Sequence, residues 1–362
     1  MTGLGNYSRE IIRMMASNYP ENEYFLYTPK VEPNARLNFL SEHQQVKTVT
    51  PQSKYFTALW RSRGVVADLK RDGIELYHGL SHELPIGIGR SGIKSVVTIH
   101  DLIFMRFPQY FGFVSRKIYA AKIKYACKHA DVVIAVSEKT KADLVQLLKV
   151  HPEKITVLYQ GCDDIFGVKQ SAEKIAEVSA KYQLPEQYIL NVGTIEPRKN
   201  LMLLAKAFLF LPKDTRLVII GKQGNYFERV REYIVQHKLA DRVLFIANVS
   251  FADLPAIYQG AQLFVYPSRY EGFGIPVLEA LVSGVPAIAA KGSCLEEAGG
   301  PDSLYVDPDD ETDLTEKIRL VLDDEKLRQT MISKGLIYSR KFEEKKLAAQ
   351  LMNLYTKTLR NA

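Results

Sequence analysis

Four short stretches of the chain carry side chains of the kind that bind anionic, hydroxyl-rich ligands. The most specific is Glu271-Gly272-Phe273-Gly274-Ile275-Pro276-Val277-Leu278-Glu279, which follows an apolar run through Pro267-Ser268-Arg269-Tyr270. A strand, a glycine loop and then a helix set backbone N–H groups at the helix start, where the donors and the helix dipole together stabilise a phosphate. Pro276 suits the first helical turn, where its missing N–H costs nothing. Glu279 falls about one turn into that helix and could accept two hydrogen bonds from ribose hydroxyls, while Glu271, in the loop, could meet sugar hydroxyls. Glycine loops are common, and a capped helix with incidental acids gives the same pattern. The second stretch is Gly193-Thr194-Ile195-Glu196-Pro197-Arg198-Lys199-Asn200, directly after another apolar run. Arg198 offers a fork of donors and Lys199 a mobile point charge, a pair suited to a diphosphate. A solvated basic pair is the plain alternative, but cations at a helix start oppose the dipole unless an anion lies close by.

The third stretch, Thr98-Ile99-His100-Asp101-Leu102, places His100 where it could hydrogen-bond a donor sugar or an acceptor, although an isolated His-Asp pair is more often structural. The fourth, Thr2-Gly3-Leu4-Gly5-Asn6, reads as a glycine loop opening a helix over Tyr7–Ser17.

All four need rigid elements behind them, and the hydrophobic pattern supplies these. Short apolar, β-branched runs alternate with amphipathic stretches of helical length. Strands are predicted at Tyr24–Tyr27, Val46–Val49, Ile74–His78, Val96–Ile99, Val132–Val136 and Ile155–Leu158 in the first half. In the second half they fall at Tyr188–Val192, Leu217–Ile220, Val243–Ala247, Leu263–Tyr266, Ala287–Ala290 and Leu304–Val306. Continuous apolar runs separated by helices indicate parallel strands covered on both faces, and one doubly wound sheet per half is the economical topology. The pattern breaks around Tyr159–Ser171, which sets domains at 1–165 and 166–342. A closing helix over about Glu343–Leu359, within 343–362, carries an apolar stripe of Leu347, Leu351, Leu354 and Leu359. A glycine loop in such a sheet ordinarily follows a central strand, and no apolar run precedes Thr2-Gly3-Leu4-Gly5-Asn6 here.

At 362 residues, two domains are expected. The composition, 46% hydrophobic and 25% charged, is that of a soluble globular protein. No apolar run is long enough to cross a membrane, no secretory leader is read at Met1-Thr2-Gly3-Leu4-Gly5, and Cys127, Cys162 and Cys294 do not form a disulfide framework. A cytoplasmic location is expected. The net charge of +7 suits a polyanion or an anionic membrane surface, but no zinc spacing, RNP-like segment or arginine-rich tract points to nucleic acid.

The glycine loop, His100-Asp101, Glu196-Pro197-Arg198-Lys199-Asn200 and the Glu271/Glu279 pair stand in the order found in glycosyltransferase family 4, which the chain resembles along nearly its whole length. The resemblance extends to Ala130-Asp131-Val132 with Val136-Ser137-Glu138, and to Ala261 with Tyr266-Pro267-Ser268. It implies an α/β GT-B fold: two Rossmann-like, doubly wound domains facing each other across a cleft, with the C-terminal helix crossing back to the first. It implies a retaining, metal-independent transfer from a nucleotide-sugar. By the same resemblance, Arg198 and Lys199 bind the donor diphosphate, and Glu271 holds the transferred sugar with the backbone of Gly272, Phe273, Gly274 and Ile275. Glu279 holds the ribose, and His100 contacts the sugar near the reacting carbon. Gly3 and Gly5 let the N-terminal backbone approach the phosphate or sugar, Gly193 is among the donor-binding residues, and the base lies near Lys222, Asn248 and Val249. Two positions depart from the family pattern: the expected first strand is absent, and Ala247 stands where glycine is usual.

The wording of the second motif is similar to that of bacterial mannosyltransferases of polysaccharide assembly. The expected donor is therefore GDP-mannose, with UDP-glucose and UDP-N-acetylglucosamine open, and the expected acceptor is a glycan or lipid-linked hydroxyl. A sugar-nucleotide epimerase, a phosphorylase, or a non-catalytic sugar-nucleotide-binding subunit are the rivals. A phosphorylase of the glycogen type needs a pyridoxal-binding lysine, and none is identifiable. Asp307-Pro308-Asp309 has the spacing of a metal motif, but its place between a strand and a helix favours a turn and N-cap. His78 and His82 lack a third ligand for zinc. Trp60 with Arg61, Arg63, Lys70 and Arg71, and Phe113-Val114-Ser115-Arg116-Lys117, could touch an anionic membrane at the inner face. A packed helix with a solvated basic face is the default for both.

Overall fold

The computed structural model describes residues 3–31, 35–52 and 55–360. The chain divides into two compact units, one comprising Met1–Gln160 with Glu343–Ala362 and the other Gly161–Phe342.

In the second unit, β7 (Ile189–Val192), β8 (Leu217–Ile220), β9 (Val243–Ile246), β10 (Leu263–Tyr266), β11 (Ala287–Ala290) and β12 (Leu304–Val306) form one parallel sheet in the order β12-β11-β10-β7-β8-β9. β7, β8, β10 and β11 are buried on both faces, which is why they read as continuous apolar runs. One face packs Ile189, Ile219 and Val265 against Leu204, Val230 and Ile318 of the flanking helices. On the other, Tyr258 packs against Phe264, and the helix Ile275–Val282 lies on β10 and β11. The strand order reverses between β7 and β10. The connections from those two strands leave in opposite directions, and that opens the crevice in which doubly wound sheets bind ligands, at the strands' carboxyl ends.

The first unit holds β1 (Tyr24–Tyr27), β2 (Val46–Val49), β3 (Leu76–Gly79), β4 (Lys94–Ile99), β5 (Val132–Ala135) and β6 (Ile155–Val157). One sheet was expected and two are found: β1 pairs in parallel with β2, and β3-β4-β5-β6 form a separate parallel sheet. Among the described residues no strand pairs with both β1 and β3. Their side chains nonetheless share layers. Tyr24 and Leu76 pack on the cluster of Met14, Met15, Leu347 and Leu351, while Tyr27 and Tyr77 pack on that of Val65, Leu69 and Ile123. The two sheets are thus covered by the same cores without sharing a hydrogen-bond ladder.

The glycine loop expected at the amino end is also corrected. Thr2 lies outside the described residues, and Gly3 and Gly5 belong to the first helix, Gly3–Asn18. Glycine costs about 1 kcal/mol relative to alanine in a helix interior, but tertiary packing decides helix stability in proteins. Here Met14 and Met15 are buried against Leu347, Ala348 and Leu351 of the closing helix, Glu344–Arg360. Glu344 accepts from Asn18 at 3.0 Å and pairs with Arg13 at 2.6 Å, which fixes the contact from the polar side.

Candidate active site

The two loops that follow β7 and β10 carry the charged residues singled out in the sequence, and they converge. After β7, Pro197–Lys199 form one 3-10 turn, Asn200 takes a left-handed conformation (φ 58°), and a helix starts at Leu201. The buried Asn200 amide donates to the Pro308 carbonyl at 2.7 Å, locking the turn. Arg198 Nη1 lies 2.8 Å from Glu271 Oε2, and Lys199 Nζ lies 2.6 Å from Glu271 Oε1. Arg198 also pairs with Glu196 at 2.5 Å and donates to the Tyr270 carbonyl. The anion that the sequence requires beside this basic pair is therefore a carboxylate of the protein itself.

Burial alone would raise the Glu271 carboxyl. The charges of Lys199 and Arg198 outweigh it, with the Ser268 hydroxyl donating at 2.6 Å, and the group is held down at about 2. Burial likewise opposes the Arg198 charge, and Glu271 and Glu196 overcome it, so this guanidinium is charged at any ordinary pH. The Tyr266 hydroxyl completes the cluster. It accepts from Lys199 at 2.5 Å and donates to Glu271 at 3.1 Å.

The glycine loop is held from beneath. Gly274 has φ 129°, and a Cβ there would lie 2.9 Å from Leu295 Cδ2 and 3.1 Å from Ala298 Cβ, so only glycine fits. Phe273 is buried edge-on to Phe342, and the Cys294 thiol donates to the carbonyls of Glu271 at 3.0 Å and Phe273 at 2.8 Å. Ile275 opens the helix with Pro276 in its first turn. One turn in, Glu279 accepts from the buried Tyr258 hydroxyl at 2.8 Å. Burial pushes its carboxyl up to about 7, with that hydrogen bond opposing and Asp163 adding to the rise.

Lys222 follows β8, and Asn248 and Val249 follow β9, at the same carboxyl end of the sheet. The β7 and β8 loops are in close contact. Ile195 N–H donates to the Lys222 carbonyl at 3.1 Å, and a Cβ on Gly221 would fall 1.8 Å from the Gly193 carbonyl oxygen. Gly221 and Tyr258 escaped the sequence reading, and Ser268 and Cys294 were noted there without a role in the site.

In the first unit, His100 is buried at the carboxyl end of β4 with both ring nitrogens engaged. Nε2 donates to the Leu80 carbonyl at 2.9 Å, which leaves Nδ1 to accept from the Gln160 amide at 3.1 Å. Burial, with His82 alongside, lowers its pKa to about 4, so the ring is neutral. The Asp101 carboxylate accepts from the Ile103 N–H at 3.0 Å, and its charge weakly opposes the lowering of the His100 pKa. The Tyr7 ring meets His100 edge-on at 4.5 Å, and its hydroxyl bonds Thr98. His78 bonds Thr98 at 2.8 Å and Tyr355 at 2.6 Å, tying β3 and β4 to the closing helix.

Asp307-Pro308-Asp309 forms the expected turn, with Asp309 N–H donating to the Asp307 carboxylate at 3.0 Å. The helix cap is Asp310 instead, which accepts from Thr312 and Asp313. Asp307 faces Lys291 at 3.3 Å and Asp309 faces Arg269 at 2.6 Å.

Two parallel, doubly wound units, with a closing helix that returns to the first helix and charged loops at the switch point of the second, define a GT-B protein. Residues 1–165 match the profile described as Glycosyltransferase Family 4, and residues 173–336 match that described as Glycosyl transferases group 1. The chain belongs to the family 4, group 1 glycosyltransferases and is a hexosyltransferase-like enzyme. It is 28% identical to O-antigen chain mannosyltransferase B of Escherichia coli, over 98% of this chain and 96% of that one. It is also 28% identical to O-antigen chain mannosyltransferase RfbU of Salmonella typhimurium, over 76% of this chain and 72% of that one. In structure it is similar to Anabaena HepE in complex with UDP and glucose, with a TM-score of 0.77 at 19% identity over 98% and 96% of the two chains.

Proposed function

We propose that this enzyme moves mannose from GDP-mannose, with retention, to a hydroxyl of a glycan or lipid-linked acceptor, working in the cytoplasm. The observation that carries the reading is the convergence of Arg198, Lys199 and Glu271 at the point where the strand order reverses. In this scheme the diphosphate takes up Arg198 and Lys199 as partners, and Glu271 is released to hold hydroxyls of the sugar with the backbone of Gly272–Ile275. Glu279 holds the ribose, and Lys222, Asn248 and Val249 flank the base. His100 receives a sugar hydroxyl on Nδ1, displacing the Gln160 amide. Gly3 and Gly5, in the first turn of a helix, contribute N–H groups and a positive dipole end toward an anionic or hydroxyl group.

The acceptor oxygen attacks the anomeric carbon from the face on which the nucleotide departs. The bond from that carbon to the phosphate oxygen breaks, its electron pair stays on the phosphate, and the departing phosphate takes the acceptor's proton. Arg198 and Lys199 act by stabilising the charge that grows on the leaving group. Positive charge for the diphosphate comes from these side chains, so no metal is required.

Mannose is favoured by the two O-antigen mannosyltransferases among the relatives. A UDP-sugar is the second reading, favoured by the likeness to HepE with UDP and glucose. Thermal shift with GDP, UDP, ADP and their sugar conjugates, with and without magnesium, separates them. A ligand at 100 times its Kd stabilises the folded state by about 2.7 kcal/mol, well within detection. A selective, magnesium-independent shift with GDP and GDP-mannose is expected. A shift with UDP-sugars alone replaces the donor, and no shift with any nucleotide supports a non-catalytic subunit.

A further inference from the structure

The ion pairs around Glu271 are closed in the free enzyme, and that fixes what a ligand must bring with it. Two cations, Arg198 and Lys199, face two carboxylates, Glu271 and Glu196, so the four side chains balance before any anion arrives. The two oxygens of Glu271 are not equivalent. Oε1 pairs with Lys199 at 2.6 Å and accepts from the hydroxyls of Ser268 at 2.6 Å and Tyr266 at 3.1 Å. Oε2 has Arg198, at 2.8 Å, as its one partner among the described residues.

An incoming diphosphate has to take both cations from Glu271. Oε1 then keeps its two neutral donors, and Oε2 keeps none. The side chain is 12% exposed, so little water reaches the place the guanidinium leaves. A carboxylate oxygen sealed off without a donor carries the full cost of its lost hydration. Sugar hydroxyls cancel that cost by donating to Oε2, whereas a nucleotide without its sugar has nothing to put there.

We propose that Glu271 makes this site discriminate the intact donor from the spent nucleotide. While the sugar is present its hydroxyls hold the carboxylate. Once the sugar has been transferred, Glu271 returns to Arg198 and Lys199 and displaces the nucleoside diphosphate. Charge alone gives the opposite order, because the spent nucleotide ends in a free phosphate and is more negative than the donor. Glu196 cannot discriminate in this way. Its side chain is 40% exposed, so water replaces Arg198 there whatever the ligand carries. The inference rests on the donor site proposed above and adds to it a role in product release.

The test is calorimetric titration of the full chain with three ligands that share a base. They are the nucleotide-sugar, the nucleoside diphosphate, and that diphosphate methylated on its terminal phosphate. The methyl ester has the donor's charge and none of its sugar hydroxyls. Guanosine ligands with GDP-mannose and uridine ligands with UDP-glucose are both run, and the series that binds is followed. In the unaltered chain the nucleotide-sugar should bind at least about tenfold more tightly than the methyl ester, the worth of one charge-assisted hydrogen bond. Glu271→Gln keeps the side chain's shape and removes its charge. It should bind the methyl ester and the nucleoside diphosphate at least about tenfold more tightly than the unaltered chain does, and its preference for the nucleotide-sugar should fall to about a tenth. Glu196→Gln should shift all three ligands by a similar factor and leave the preference in place. Melting without ligand reports whether Glu271→Gln is folded, and the comparison in the unaltered chain stands without any variant. Equal affinity of the unaltered chain for nucleotide-sugar and methyl ester would overturn the proposal. So would a folded Glu271→Gln chain that binds the methyl ester no more tightly. Binding of no ligand in either series would remove the donor site itself and this inference with it.

Discussion

Arg198, Lys199 and Glu271 sit side by side with little exposure, and none can be removed without leaving a poorly solvated charge behind. Each single cation-to-alanine change still leaves Glu271 one cationic partner, so the fold should survive while the charge on the departing phosphate goes under-compensated. Loss of one such donor costs about 3 kcal/mol of transition-state stabilisation. Arg198→Ala and Lys199→Ala are therefore each expected to lower kcat by on the order of 100-fold, with melting followed alongside to show an intact fold. Near-normal turnover in either would remove that residue from the reaction. Glu279 gives a different prediction. Its carboxyl is pushed up to about 7, and ribose hydroxyls donate, so the ionised form, which gains as pH rises, is the better acceptor. Affinity for a nucleotide-sugar, whose phosphodiester groups do not titrate in this range, should rise between pH 6 and pH 8. The rise is about tenfold if only the ionised form binds. Glu279→Gln should flatten the profile in calorimetric titration, and a flat profile in the unaltered chain would take Glu279 off the ribose. The charged residues were legible because charge at a strand's carboxyl end has few other uses. The roles of Tyr258, Ser268 and Cys294 were not, because each residue acts through a hydrogen bond to another residue's side chain or carbonyl and neither its type nor its spacing marks it.

At the scale of elements, parallel strands buried on both faces announce themselves as apolar runs, and the runs at Leu217–Ile220 and Leu263–Tyr266 have the bounds found in the structure. Pairing partners are another matter. The sequence pattern of β1 and β3 is that of strands in one sheet, yet ladder membership depends on what lies between them, and no local pattern reports that. The helical start at Gly3 was missed for a related reason: local glycine preference pointed to a loop, and packing on a helix more than 300 residues away overrode it. That packing is testable. Leu351 is fully buried among Met14, Met15, Val96 and Ile134. Leu351→Ala should cost about 2–5 kcal/mol, and the loss should fall on the first unit. Calorimetry is then expected to show a transition moved to lower temperature with the second unit's transition in place. An effect below about 1 kcal/mol would mean the closing helix is not part of that core.

At the scale of the molecule, the two units differ in how the chain builds them. The second is one continuous stretch, Gly161–Phe342, and its site loops come from strands 71 residues apart in sequence (192 to 263). The first is interrupted, with its last piece at Glu343–Ala362. The interruption orders events during synthesis. When the ribosome has made Gln160, the first unit still lacks the helix that covers Met14 and Met15, and it must wait for about 200 further residues, on the order of 10–40 s at 5–20 residues per second. Through that interval the apolar floor under the first helix is open to chaperones and to neighbouring nascent chains, while the second unit can finish folding on its own. The half of the enzyme made first is the half completed last.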